Sequence, residues 1–236
     1  MIVVLTCPRP GTSYVEATVK QIDESARGST RILLVDSTED SDGPRHNESF
    51  AGWRVETRVR PLRSPQNKWV AWEAFHLAAA ENEDLCFFED DLEFSRNAPR
   101  YIENFSVPDD VAFVTFFSPW LERKLPIGLF RVHAHSYTMA QALKFPLRTV
   151  RQLVEERGRA LGHEGQLLGG FDEILRHIAI QRTWRYAAMH PGIVQHVGAN
   201  SAVGNGGLVG NRIAHNYLGR EFDAEALTLY PKEFFS

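Results

Sequence analysis

Long apolar runs, a positive charge excess and cysteine are what this sequence has little of. No window approaches the ~20 uninterrupted apolar residues of a membrane span. The first segment, Met1-Ile2-Val3-Val4-Leu5-Thr6-Cys7-Pro8, has no basic flank, and its short apolar run ends at a proline, so it reads as a buried strand rather than a signal peptide. Lys and Arg total 26 against 30 Asp and Glu, a net charge of −4, which lacks the global basic footprint of a nucleic-acid binder. Two cysteines, Cys7 and Cys86, each in an apolar strand-like stretch, suit small buried thiols of a reducing compartment better than a disulfide framework. The expected location is cytoplasmic, free or peripheral to the inner membrane, with no transmembrane segment and no nucleic-acid partner. What is present is 43% hydrophobic and 11% aromatic residues over 236 positions, enough for a sizeable core, which excludes disordered, collagen-like and coiled-coil classes.

The chain opens as a parallel α/β domain. After the first strand, Ser13-Tyr14-Val15-Glu16 has the S-x-x-E capping-box pattern of a helix start, and the helix is expected to run to about Arg27, with Gly28 as its stop. Residues 31–35 (RILLV) form a short strand ending at Asp36 and an acidic, glycine-bearing loop. Residues 54–59 alternate as a third strand, and a proline-punctuated turn leads to a helix over 67–82. Residues 85–88 (LCFF) are a continuous apolar strand that runs into Glu89-Asp90-Asp91. Beyond it the pattern predicts a helix near 94–105, strands at 112–117, 129–132 and 192–197, and helices at 147–157 and 171–181. The expected fold is a single α/β domain with a mostly parallel central sheet flanked by helices, over 1–205, and a C-terminal tail over 206–236.

Three acids in a row at the end of a fully apolar strand repel one another. A divalent cation removes that cost, because hard cations take oxygen ligands and bridge carboxylates to a diphosphate. In open α/β sheets ligands bind outside the carboxyl ends of strands, where this cluster falls. The plain alternative is an acidic loop that caps the following helix.

Three further segments give the cluster a context. Arg63-Ser64-Pro65-Gln66-Asn67, a helix, then Phe87-Phe88-Glu89-Asp90-Asp91-Leu92 resembles the R-x-x-Q-N, helix, apolar strand, E-D-D-I stretch of N-acetylglucosaminyltransferase IV enzymes, within the GT-A class of nucleotide-sugar glycosyltransferases. Phe171-Asp172-Glu173-Ile174-Leu175-Arg176-His177-Ile178 resembles that family's V-D-W-L-L-D-H-I helix, and the stretch from Pro191 through Gln195-His196-Val197-Gly198 to Ser201 resembles its P-S-L-F-Q-H-V-G-x-x-S segment. The matches are colinear and span about residues 60–205.

The resemblance implies a GT-A (Rossmann-like) domain, with a nucleotide-sugar-binding half over 1–110 and an acceptor-binding half over 111–205. It implies Mn²⁺ or Mg²⁺, a UDP-sugar donor and a carbohydrate or other hydroxyl-bearing acceptor, with N-acetylglucosamine as the candidate sugar. Asp91 would be the direct metal ligand and His196 the second, with Asp90 or Glu89 on ribose or metal-bound water; a lone histidine after a strand is also an ordinary structural residue. Thr6, Pro8 and Arg9 would line the nucleotide pocket, Arg9 meeting a diphosphate through paired hydrogen bonds. Asp36 would meet base or ribose, or form a turn; Arg63, Gln66 and Asn67 would contact nucleotide or diphosphate, with Gln66 or Asn67 otherwise only starting the helix. Asp172, with Glu173 as alternate, would be the base of an inverting transfer, or a helix cap whose ionised form the helix dipole favours. Gln195 and Ser201 would orient His196 or contact phosphate. Phe116, Phe117 and Trp120 read as core, with Trp120 the one candidate for sugar stacking. The segment 117–170, where acceptor recognition belongs, carries no resemblance. Two other functions fit the same fold: a non-catalytic nucleotide-sugar or carbohydrate-binding protein, and a sugar-phosphate nucleotidyltransferase, which normally has a glycine-rich loop where this chain has Thr6-Cys7-Pro8-Arg9-Pro10-Gly11.

Overall fold

The computed structural model describes residues 1–7, 14–26, 28–38, 50–60, 68–121, 124–137, 140–161, 170–198, 213–228 and 234–235. In chain order these form β1 (Ile2–Thr6), α1 (Val15–Ser25), β2 (Arg31–Thr38), β3 (Arg54–Arg60), α2 (Lys68–Glu81), β4 (Leu85–Glu89), β5 (Leu92–Phe94), α3 (Ala98–Asn104), β6 (Val114–Thr115), β7 (Gly128–His133), β8 (Ala142–Phe145), α4 (Leu147–Leu161), α5 (Phe171–Gln181), β9 (Arg185–His190), β10 (Val194–His196) and β11 (Phe234–Phe235). Nine strands make one sheet in the order β11-β7-β9-β6-β8-β4-β1-β2-β3, and β10 and β5 pair separately. Strands β3, β2, β1 and β4 are mutually parallel; β8 runs antiparallel to both β4 and β6, and β7 antiparallel to β9. This is the expected fold class, a mostly parallel sheet flanked by helices.

The pleat explains the two cores. In β1, Val3 and Leu5 face one way and Ile2 and Val4 the other; in β4, Leu85 and Phe87 oppose Cys86 and Phe88, and every one of these side chains is buried. Strands covered on both faces carry continuous apolar runs, hence IVVL and LCFF. One face packs against α2, α4 and α5, the other against α1 and α3. Helix α2 is apolar around most of its circumference, with Val70, Trp72, Ala74, Phe75 and Ala78 all buried, because it is wedged between the sheet and α4.

Several local expectations give way to tertiary context. Helix α1 begins one residue later than the S-x-x-E pattern requires, with Tyr14 as its N-cap and no side-chain cap bond; it ends at Ser25, and Gly28 follows at φ +120°. Strand β2 continues three residues past Val35, so Asp36 lies inside the strand, 1% exposed, and not in a turn. The helix expected near 94–105 is preceded by β5, because Leu92 and Phe94 bury on one side of a short strand that β10 completes. Strands β8 and β9 were not foreseen. The first (ALKF) carries Lys144, 4% exposed, whose ammonium is bonded to the Glu103 carbonyl, a non-local arrangement that strand propensity does not report. Residues 213–228, expected in a surface tail, lie against the body: Ala214, Asn216, Ala224 and Leu227 are buried, and backbone bonds join Arg96 N–H to the Arg220 carbonyl and Leu218 N–H to the Gly192 carbonyl.

Candidate metal and sugar-transfer site

Strand β1 has β2 on one side and β4 on the other, so the chain's outward growth reverses between β1 and β4. The carboxyl ends of strands flanking such a reversal form a natural ligand crevice. Thr6 closes β1 and Glu89 closes β4 at that crevice, and the register sets Leu5 beside Glu89. Alternation splits the acids between the two sides. Glu89 follows Phe87 on the α2/α5 side. Asp90, 3% exposed, accepts a 2.6 Å hydrogen bond at Oδ2 from Thr6 Oγ1. Beneath it Thr18 of α1 donates to the Asp90 carbonyl at 2.6 Å and accepts from Leu92 N–H at 3.3 Å, fixing the turn that follows β4. Asp90 is thus tied to the end of β1 and to α1.

The β5–β10 pair brings the second half of the site. His196 is in register with Leu92, and Val197 N–H donates to the Asp91 carbonyl at 2.9 Å. The His196 Nε2 then lies 3.2 Å from Asp91 Oδ2, with both side chains about 95% buried. Glu89, Asp91 and His196 each present one ligand atom, all within 4.8 Å of one another. Two carboxylates and an imidazole suit a borderline divalent cation such as Mn²⁺, and with fewer nitrogen-tolerant alternatives Mg²⁺ fits the set less well. Gly198 packs directly on this group: a Cβ there would stand 2.1 Å from Asp91 Oδ2, so only glycine leaves the carboxylate its place. Gln195 does not reach the crevice. Its carboxamide accepts from Ala214 N–H at 2.9 Å and donates to the Ala214 carbonyl at 3.2 Å, which fastens β10 to the C-terminal segment.

Asp172 opens α5. Phe171 before it packs on Phe87 of β4 at 5.2 Å between ring centres and on Phe75 at 5.8 Å, which fixes the helix start against the sheet. Burial pushes the Asp172 carboxyl above its ordinary range, and the adjacent Glu173 charge adds to this, against the opposing hydrogen bond from the Glu173 backbone N–H. The helix dipole was expected to favour the ionised form; desolvation outweighs it. Glu173 is exposed and its Oε2 accepts from Gly170 N–H at 3.2 Å, a helix-capping contact. Tyr137, just before β8, is buried on the same face and edge-stacked on Phe113 and Tyr186. Its phenol is pushed far up by burial and then by the charges of Asp172, Tyr186 and Glu89.

Pro8, Arg9, Arg63, Gln66, Asn67 and Ser201 lie outside the described residues. Phe116 and Phe117 are core residues as read, and Trp120 is half-buried, packed against the α2/α5-side core. Thr18, Gln141 and Tyr137 escaped the sequence reading because nothing local distinguishes them; only strand register and helix packing bring them to the crevice.

No protein-family model and no curated protein matches this chain. Solved structures similar to it include the nucleoside-diphosphate-sugar pyrophosphorylase of Vibrio cholerae RC9, at 9% identity and a TM-score of 0.45, covering 84% of this chain and 95% of that one. They also include mouse xyloside xylosyltransferase 1 in its apo form, at 9% identity and a TM-score of 0.38, covering 80% of this chain and 84% of that one. Likenesses this distant carry no argument about activity, which is read from the site itself.

Proposed function

We propose that this chain is a divalent-metal-dependent, inverting glycosyltransferase that moves a sugar from a UDP-sugar to an acceptor hydroxyl. The observation that carries the reading is the convergence of Glu89, Asp91 and His196 within 4.8 Å at the crevice between β1 and β4. The UDP moiety and N-acetylglucosamine as the candidate sugar come from the sequence resemblance, as does the division into a nucleotide-sugar half (1–110) and an acceptor half (111–205).

In this reading Asp91, His196 and Glu89 hold the cation, which when bound supplies neutralisation of the charge left on the departing diphosphate. Thr6 and the turn through Asp90 form the floor under the nucleotide, and Asp36, at the same end of β2, faces base or ribose. Asp172 accepts the proton of the acceptor hydroxyl as its oxygen attacks the anomeric carbon; the bond from that carbon to the diphosphate breaks and its electron pair leaves with UDP. A carboxyl raised by burial is better matched to this work at neutral pH than an ordinary one. Glu173 shapes the helix start.

Thermal melts with UDP, other nucleoside diphosphates and UDP-sugars, with and without Mn²⁺, test the reading. Stabilisation by UDP that requires Mn²⁺ is expected, together with slow Mn²⁺-dependent release of UDP from a UDP-sugar. Indifference to every nucleotide rejects it, and metal-dependent binding without UDP release under any acceptor supports a binding protein instead.

A further inference from the structure

Strand register sets one more polar group beside the metal candidates. Phe88 of β4 pairs with Ala142 of β8, so the next pair along is Glu89 with Gln141, and Glu89 N–H donates to the Gln141 carbonyl at 3.0 Å. Residues directly opposite in an antiparallel pair project to the same face. The Gln141 side chain therefore shares the α2/α5 face with Glu89, Leu143 and Phe87. It is 7% exposed, and its side-chain carbonyl Oε1 is buried with no hydrogen-bond partner among the described residues. An orphaned buried acceptor is costly and calls for an explanation. Its register neighbours on this face, Leu143 and Phe87, are apolar and offer no side-chain donor.

We propose that Gln141 recognises the transferred sugar, its Oε1 accepting a hydrogen bond from a sugar hydroxyl or amide N–H beside the metal group. The proposal rests on the nucleotide-sugar reading above. The chemistry of the ligand narrows the contact: a diphosphate presents only acceptors, so the donors a nucleotide-sugar can bring are the hydroxyls and amide of its sugar, the ribose hydroxyls and the base N–H. The competing donors, ribose and a water on the cation, are present with UDP alone, whereas the sugar's are not.

The test is Gln141→Met, which keeps length and removes the polar atoms, studied in the full chain with Mn²⁺ by titration calorimetry against UDP, UDP-glucose and UDP-N-acetylglucosamine. We expect the UDP-sugar that the wild type binds to weaken about three- to tenfold, as for one lost neutral hydrogen bond, while UDP affinity stays within about twofold. The melting temperature without ligand should hold or rise, since the buried acceptor removed has no partner among the described residues. Equal loss for UDP and UDP-sugar assigns Gln141 to the ribose or the metal's water shell and overturns the proposal. Unchanged UDP-sugar affinity overturns it, and so does a fall of several degrees in the ligand-free melt. A wild type that binds no nucleotide with Mn²⁺ rejects the glycosyltransferase reading itself, and this inference with it; a wild type that binds UDP normally while the variant fails as above rejects this inference alone.

Discussion

At Gly198 the side chain that is missing matters more than any that is present. Its Cα sits so close to Asp91 that a methyl group would lie 2.1 Å from Oδ2 and 2.8 Å from Cγ, well inside contact distance. Asp91 cannot yield cheaply, because its backbone carbonyl is held by Val197 N–H and its carboxylate faces His196. Gly198→Ala should therefore lower the melting temperature and remove the added stabilisation by Mn²⁺; melts with and without the ion measure both, and an unchanged Mn²⁺ shift rejects the close approach. Asp172 gives a second residue-scale prediction with a sign. Its folded-state carboxyl holds its proton to higher pH than the unfolded chain does, so the stability it contributes is present below 3.8 and is lost as the pH rises through the raised value. Asp172→Asn removes that loss, so its melting temperature near pH 7 should equal or exceed the wild type's, with the advantage gone below pH 3.8. Turnover should move the opposite way, falling about a hundredfold or more while UDP binding survives. Retained turnover would remove Asp172 from the role of base.

Among the elements, those visible in the sequence are the ones whose burial is two-sided or whose stripe is regular: β1 and β4 as continuous apolar runs, and α5, whose bounds are those its pattern predicts. The elements that were invisible owe their form to partners far along the chain. Strand β5 exists because β10 pairs with it a hundred residues later, and β8 accommodates Lys144 because the Glu103 carbonyl receives it. The site divides the same way. Glu89, Asp91, His196 and Asp172 were legible as chemistry, since acids at a strand end and a motif-bearing histidine are local signals. Their supports were not, because Thr18 looks like any helix threonine until α1 is laid under β4. That support predicts an element-scale effect. Thr18→Val is nearly isosteric yet strips the Asp90 carbonyl and Leu92 N–H of their partner, both of them buried bonds. The cost should be about 2 kcal/mol or more in denaturant unfolding, with Thr18→Ser close to wild type; a loss under about 0.5 kcal/mol would show that water replaces the hydroxyl.

For the whole molecule, the crevice joins pieces that are remote in sequence: the ends of β1 and β4, and β10, which the 213–228 segment pins through Ala214. A ligand that bridges Glu89, Asp91 and His196 therefore links the end of β4 to a segment a hundred residues downstream, and its binding energy becomes folding energy for the entire domain. Linkage fixes the size of the effect. At a free Mn²⁺ concentration a hundred times its dissociation constant, the folded state gains about 2.7 kcal/mol, which for a chain of 236 residues corresponds to about 5–10 °C in melting temperature. The gain should grow with the logarithm of Mn²⁺ concentration, vanish with a chelator, and be absent in Asp91→Ala and His196→Ala alike. Equal metal stabilisation in wild type and both variants would place the ion elsewhere on the molecule, whereas loss in Asp91→Ala with retention in His196→Ala would leave β10 a structural neighbour and reduce the cation's ligands to the two carboxylates of the β4 end.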